Sequence, residues 1–276
     1  MILITALSLL ACIAHGIMLY TPFNDYLYTS AVKLVLFAAC PVVYLRACSA
    51  SFPHRLCGRF SAIRRHLLLT YPAGTRHRRF LNWRKIASQI QWEKDTEQAL
   101  AVSKDGTLRD MFFREFNTKA VMYSAAFGVA VAAAMFAGFL IVRPWLDPPM
   151  IVGAMSNVGI TPGNYAVVAG YYIFVNVALE ELFFRGFIFL TLYRMGHVLY
   201  AHIYSSLLFA VYHVAIMRYG VTPELLILST IGLVAVGLLF NEITRRCGSL
   251  AGSWIVHLCA SLSISIIGFH LILNYA

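Results

Sequence analysis

Ala178-Leu179-Glu180-Glu181-Leu182-Phe183-Phe184-Arg185-Gly186 places two acids and a base inside a run, 165–190, that otherwise has the composition of a membrane-spanning helix. A charge at bilayer depth costs roughly 2.5–3.5 kcal/mol even on the lenient insertion scales, so it persists where it pairs with another charge or lines a cavity. On a helix Glu181 and Arg185 stand four residues apart with the acid nearer the N-terminus, the favourable order for an ion pair. Glu180 is rotated about 100° from Glu181 and faces a different neighbour. This spacing predicts that Glu181 and Arg185 satisfy each other, leaving Glu180 without a counter-charge and free for chemistry.

Outward from this stretch the chain stays apolar. Of its residues 60% are hydrophobic and 12% charged, a balance that points to a polytopic membrane protein. About twenty apolar residues cross the hydrocarbon layer as a helix. By that measure spans are predicted at about 1–20, 27–47, 119–142, 165–190, 202–218, 224–242 and 249–273. The predicted fold is therefore an all-α, polytopic transmembrane helix bundle of about seven spans. Pro41 is expected to kink the second span, and Arg143-Pro144 to end the third, whose Ala and Gly let neighbouring helices approach closely. The loop 144–164 carries Pro144, Pro148, Pro149 and Pro162 and is not one regular helix. The stretch 80–100 mixes Trp83, Ile86, Ile90 and Trp92 with charge, the pattern of an amphipathic segment lying on the inner interface. The chain then divides into an N-terminal two-span region with a basic cytoplasmic segment, 1–118, and a membrane core of catalytic type, 119–276.

The excess of Lys and Arg is local. Between Arg46 and Lys94 the only acid is Glu93. Such a block beside a helix end reads as cytoplasmic and faces anionic headgroups of the bilayer; it is not read as a nucleic-acid site. That fixes the expected orientation of a multi-pass integral membrane protein: N-terminus and basic segment in the cytoplasm, C-terminus outside. The first residues, Met1 to Tyr20, lack the basic n-region of a cleaved signal and read as the first span. Cys12, Cys40, Cys48, Cys57, Cys247 and Cys259 form no Cys-x-x-Cys pair, so reduced, structural thiols are expected.

Three clusters carry residues able to do chemistry: Glu180-Glu181-x-x-x-Arg185, Phe209-x-x-x-His213 and His257-x-x-x-Ser261. Phe209 and His213 share one helix face, as do His257 and Ser261. A carboxylate and two imidazoles converging at one depth have the parts to activate water. Glu180 would take the proton and His213 would hold the water. His257 and Ser261 would donate hydrogen bonds to a developing oxyanion.

These clusters, in this order and on separate spans, resemble the CAAX protease and bacteriocin-processing family, also called the abortive-infection-like family, which includes the type II CAAX prenyl endopeptidases. The family pattern is Glu-Glu-x-x-x-Arg, Phe-x-x-x-His and His-x-x-x-Asn, and the resemblance covers about 178–261. It implies an intramembrane endopeptidase whose Glu180 and His213 activate water and whose His257 serves the oxyanion hole. Arg185 would brace the cavity through Glu181, with Phe209 as packing. Ser261 stands where the family has Asn; its hydroxyl is shorter, and loss of one oxyanion donor costs roughly 10²–10³ in rate.

The implied substrate is a membrane peptide or protein, prenylated at a CAAX-like terminus or not. Glu180, His213 and His257 would also make a two-His, one-carboxylate zinc site. The His-Glu-x-x-His motif of many zinc proteases is absent, however, and the resemblance implies a glutamate mechanism, so no cofactor is expected and zinc is the alternative. The rival function is a non-catalytic immunity or scaffold protein that binds a peptide or protein partner, which the serine at 261 favours.

Overall fold

A computed structural model describes residues 1–18, 25–51, 118–217 and 222–276. The amphipathic stretch expected at 80–100, and the basic block beyond Ser51, lie outside the described residues. Among these residues the secondary structure is helical, with no β-strand. The elements are α1 (Ile2–Met18), α2 (Tyr26–Ser51), α3 (Thr118–Val142), α4 (Pro148–Asn157), α5 (165–194), α6 (Val198–Met217), α7 (Pro223–Cys247) and α8 (Ala251–Tyr275).

Local sequence sets where these helices start and stop. α3 ends at Val142, and Arg143–Trp145 forms a single 3₁₀ turn around Pro144. Within the proline-rich loop, the Asp147 carboxylate accepts the Met150 N–H and Pro148 occupies the first turn, which starts α4. Thr222 and Pro223 start α7 in the same way, and Gly248 closes it at φ 66°, a left-handed conformation that glycine adopts without steric cost. Pro41 lies inside α2 without interrupting it.

Among the described residues, four helices are long and apolar enough to cross a membrane: Tyr26–Tyr44, Lys119–Trp145, Pro223–Cys247 and Ala251–Tyr275. Ile2–Met18 and Val198–Val214 are apolar but shorter. The described residues thus fit an all-helical membrane protein, and within them length and composition identify four spans, against the seven expected for the chain. Large apolar side chains such as Ile227, Leu228 and Ile231 on α7 face outward, as a lipid solvent allows.

One apolar core joins α1, α2 and the later helices. It includes Ile4 and Ala11 of α1, Phe37 of α2, Phe183 and Phe184 of α5, Phe209 of α6, Phe240 of α7 and Val256 of α8. Phe37 stacks on Phe183 with ring centroids 4.0 Å apart. Ser8 of α1 bonds the Tyr204 hydroxyl of α6 at 2.9 Å. α7 meets α6 at Gly237, where a Cβ would lie 2.9 Å from the Ser206 backbone, so the helices touch main chain to main chain.

α5 is the central helix, and it is irregular where the chemistry lies. Two stretches, Tyr172–Asn176 and Glu181–Phe189, wind as π-helix, marked by the Val177 N–H on Tyr172 O and the Leu190 N–H on Arg185 O. Such wide turns re-aim the side chains that follow them and recur at functional sites. All nine residues from Glu181 to Phe189 are buried.

Candidate active site

Glu180 is only 2% exposed, and its two carboxylate oxygens meet different neighbours. Oε2 lies 3.4 Å from His213 Nε2 and 3.6 Å from His257 Nε2. The ligand atoms of these three residues all lie within 4.8 Å of one another. Three separate helices, α5, α6 and α8, deliver them, as the sequence reading expected.

Each imidazole is fixed through its other nitrogen. His213 Nδ1 is 2.9 Å from the Phe209 carbonyl oxygen, one turn back on α6. His257 Nδ1 is 2.9 Å from Glu181 Oε1. A carbonyl or a carboxylate only accepts, so each Nδ1 carries a proton and Nε2 is the nitrogen turned toward Glu180. Glu180 Oε2 and the two Nε2 atoms then share one point. That point suits a water, which has two hydrogens to donate and two lone pairs to accept with.

The other oxygen of Glu180 overturns one expectation: the acid is not without a counter-charge. Lys33 of α2, itself buried, places Nζ 2.5 Å from Oε1. Asn176, one turn before Glu180, donates Nδ2 to the same oxygen at 2.9 Å, and its Oδ1 accepts from Lys33. Lys33 also sits 4.7 Å from the centre of the Tyr212 ring, whose hydroxyl interacts with Glu180. A carboxylate at this depth needs such a partner, and the partner comes from the N-terminal helices.

Glu181 and Arg185 do pair, with Nη1 3.4 Å from Oε1 and both side chains fully buried. Phe209 does more than fill space: it and Phe240 both flank the guanidinium, with Cζ 4.2 and 4.9 Å from their ring centres. Glu181 holds His257 as well as Arg185, so it fixes the ring that the sequence reading assigned to the oxyanion. Lys33 and Arg185 set two cationic side chains against the two carboxylates of Glu180 and Glu181.

Ser261 is buried on α8, one turn beyond His257, and its hydroxyl interacts with that of Tyr172. Tyr172, Asn176 and Glu180 follow one another at intervals of four along α5. The sequence reading singled out none of Tyr172, Asn176 and Lys33. A signal for Lys33 was present: it is the sole charged residue in the apolar run 26–44, and a lone intramembrane charge implies a partner.

The donor set Glu180, His213 and His257 also fits a divalent ion. Ligands about 2.1 Å from a tetrahedral ion stand roughly 3.4 Å apart, close to the separations between Oε2 and the two rings. The carboxylate on His257 Nδ1 is the outer support that metal-binding histidines use. Against a dication stands the Lys33 ammonium on the same carboxylate.

Residues 162–263, which contain Glu180, His213, His257 and Ser261 but not Lys33, match the family described as Type II CAAX prenyl endopeptidase Rce1-like. No curated protein and no solved structure matches the chain.

Proposed function

We propose that this chain is an integral membrane endopeptidase, a reading supported by the match of residues 162–263 to the Type II CAAX prenyl endopeptidase Rce1-like family, a protease family. It hydrolyses a peptide bond of a membrane-associated or prenylated, CAAX-like substrate. The observation that carries this reading is the convergence of Glu180 Oε2 with two imidazole Nε2 atoms whose Nδ1 positions are already committed.

Water held by Glu180 and His213 attacks the carbonyl carbon and gives its proton to Glu180. The carbonyl electron pair moves onto oxygen as the tetrahedral intermediate forms, with His257 beside it. Collapse re-forms the carbonyl and breaks the C–N bond. The leaving amine takes its proton from Glu180. The test is cleavage of a peptide panel, prenylated and not, by purified full-length protein and its Glu180→Gln variant. Wild type is expected to cut at least one peptide and the variant none. Equal cleavage by both would remove Glu180 from the mechanism.

The proposed reaction uses no metal. Were zinc bound, Glu180, His213 and His257 would hold it, and it would supply a Lewis acid and a more acidic water. Activity is expected to survive exhaustive chelation. Stoichiometric zinc that chelation removes together with activity would reverse this assignment.

Ser261 favours a second reading, a non-catalytic immunity or scaffold protein of the same family, because its hydroxyl is engaged by Tyr172. Ser261→Asn separates the two. A large gain in proteolysis identifies a weakened enzyme, while silence in both forms supports the binder.

We further propose that α1, α5 and α6 also cross the bilayer. Seven crossings then put the N-terminus and the basic segment in the cytoplasm, against anionic headgroups, and the C-terminus outside. Reporter fusions at both ends are expected to report opposite sides.

A further inference from the structure

We propose that Lys33 is a catalytic residue, the resident cation that stabilises the oxyanion where this chain lacks an amide donor at position 261. The proposal rests on the protease reading of the same site. Lys33 lies on α2, outside the segment 162–263 that carries the family match.

The donors near Glu180 are largely engaged elsewhere. His257 directs Nδ1 to Glu181, and His213 directs its own to the Phe209 carbonyl. Ser261 is engaged by Tyr172. Arg185 is fully buried against Phe209 and Phe240 and beside Glu181. Among the described residues, Lys33 is the cation in direct contact with Glu180. Its ammonium has three N–H bonds. Two go to Glu180 Oε1 and Asn176 Oδ1, leaving a third for a substrate oxygen.

The charge count through the reaction gives this cation its purpose. Before attack, Lys33 faces the Glu180 carboxylate. As the water oxygen bonds the carbonyl carbon, a water proton moves to Glu180 and the carbonyl electron pair becomes an oxyanion. The carboxylate is neutralised in the step that creates the new anion, so the ammonium exchanges one anionic partner for another and net charge does not change. When the C–N bond breaks, the amine leaves with the proton from Glu180 and the original ion pair returns. Lys33 keeps all three protons throughout. A fixed charge needing no reorganisation is worth most in a medium of low dielectric. Asn176 acts as a positioning residue, since its amide bonds Glu180 and Lys33 at once.

The test uses full-length protein carrying Lys33→Gln, which retains polar contacts but no charge, and Lys33→Arg, which keeps the charge. In the Gln variant kcat is expected to fall about 10²–10³-fold, the usual effect of losing an oxyanion stabiliser. KM should change by less than about threefold, since the lost interaction belongs to the transition state. A peptide aldehyde, which forms a tetrahedral adduct, should lose affinity by a similar factor, while an uncleavable ground-state peptide should not. Lys33→Arg should recover at least about tenfold of the lost rate. A folded Gln variant with kcat within about threefold of wild type overturns the proposal. If the Gln variant does not fold, the Arg variant decides: folded but as inactive as Glu180→Gln, it overturns the proposal. Wild-type protein that cuts no peptide overturns the protease reading and the role of Lys33 with it, whereas failure of Lys33 alone leaves wild type active.

Discussion

At the scale of the residue, the site is a set of four buried charges whose pairings are unequal. Lys33 and Glu180 touch at 2.5 Å, whereas Arg185 and Glu181 stand 3.4 Å apart, with the guanidinium packed against two aromatic rings. Breaking a buried pair by removing one partner costs about 3–5 kcal/mol, because the remaining charge has no solvent. Lys33→Met and Glu180→Leu are each expected to destabilise the protein by about that amount, and the double variant by less than their sum. Unfolding measurements in one detergent complete this cycle; strict additivity would mean that the two charges do not interact. Glu180→Gln is milder, since an amide oxygen still accepts from Lys33, so its loss of cleavage is separable from loss of fold. Arg185→Ala removes both a charge and its packing against Phe209 and Phe240, and a drop of about 3–5 kcal/mol is expected there as well.

At the scale of the element, helix boundaries moved wherever polar residues continue a helix beyond its apolar part. α6 begins at Val198, four residues before the expected start at His202. The His202 Nδ1 bonds the Val198 carbonyl at 2.9 Å, so a polar side chain is absorbed by the turn it was expected to end. α7 runs to Cys247 because Glu242 holds Arg245 and Arg246 at 2.6 Å, which satisfies three charges outside the apolar pattern. His213 nevertheless reaches the depth of Glu180. Helix contacts are equally specific. Gly237→Ala drives a methyl into the Ser206 backbone and is expected to cost about 1–3 kcal/mol. At Gly232 a Cβ meets nothing within 4 Å, and Gly232→Ala should be neutral or stabilising by up to about 1 kcal/mol. Thermal unfolding of the two variants checks the contrast, and equal behaviour would refute the close packing of α6 on α7.

At the scale of the whole molecule, the family match ends where the site does not. Lys33 completes the charge balance from α2, and Ile4 and Phe37 contribute to the same core as Phe183 and Phe240. A fragment of residues 118–276 expressed alone is therefore expected to unfold at lower temperature and to cleave nothing, even though it contains every matched residue. Full activity from that fragment would show that α1 and α2 are dispensable. The sequence by itself determined the helical membrane class, because hydropathy over twenty residues is a local property. It also picked out Glu180, His213 and His257, which the structure brings together, as polar side chains in apolar runs. The pairing of Glu181 with Arg185 was legible too, since four residues on one helix is a fixed distance. Only the tertiary structure decided that Lys33 occupies Glu180 and that Glu181 orients His257. Those contacts cross between helices far apart in the chain, and their existence depends on the rotation and register that packing alone imposes.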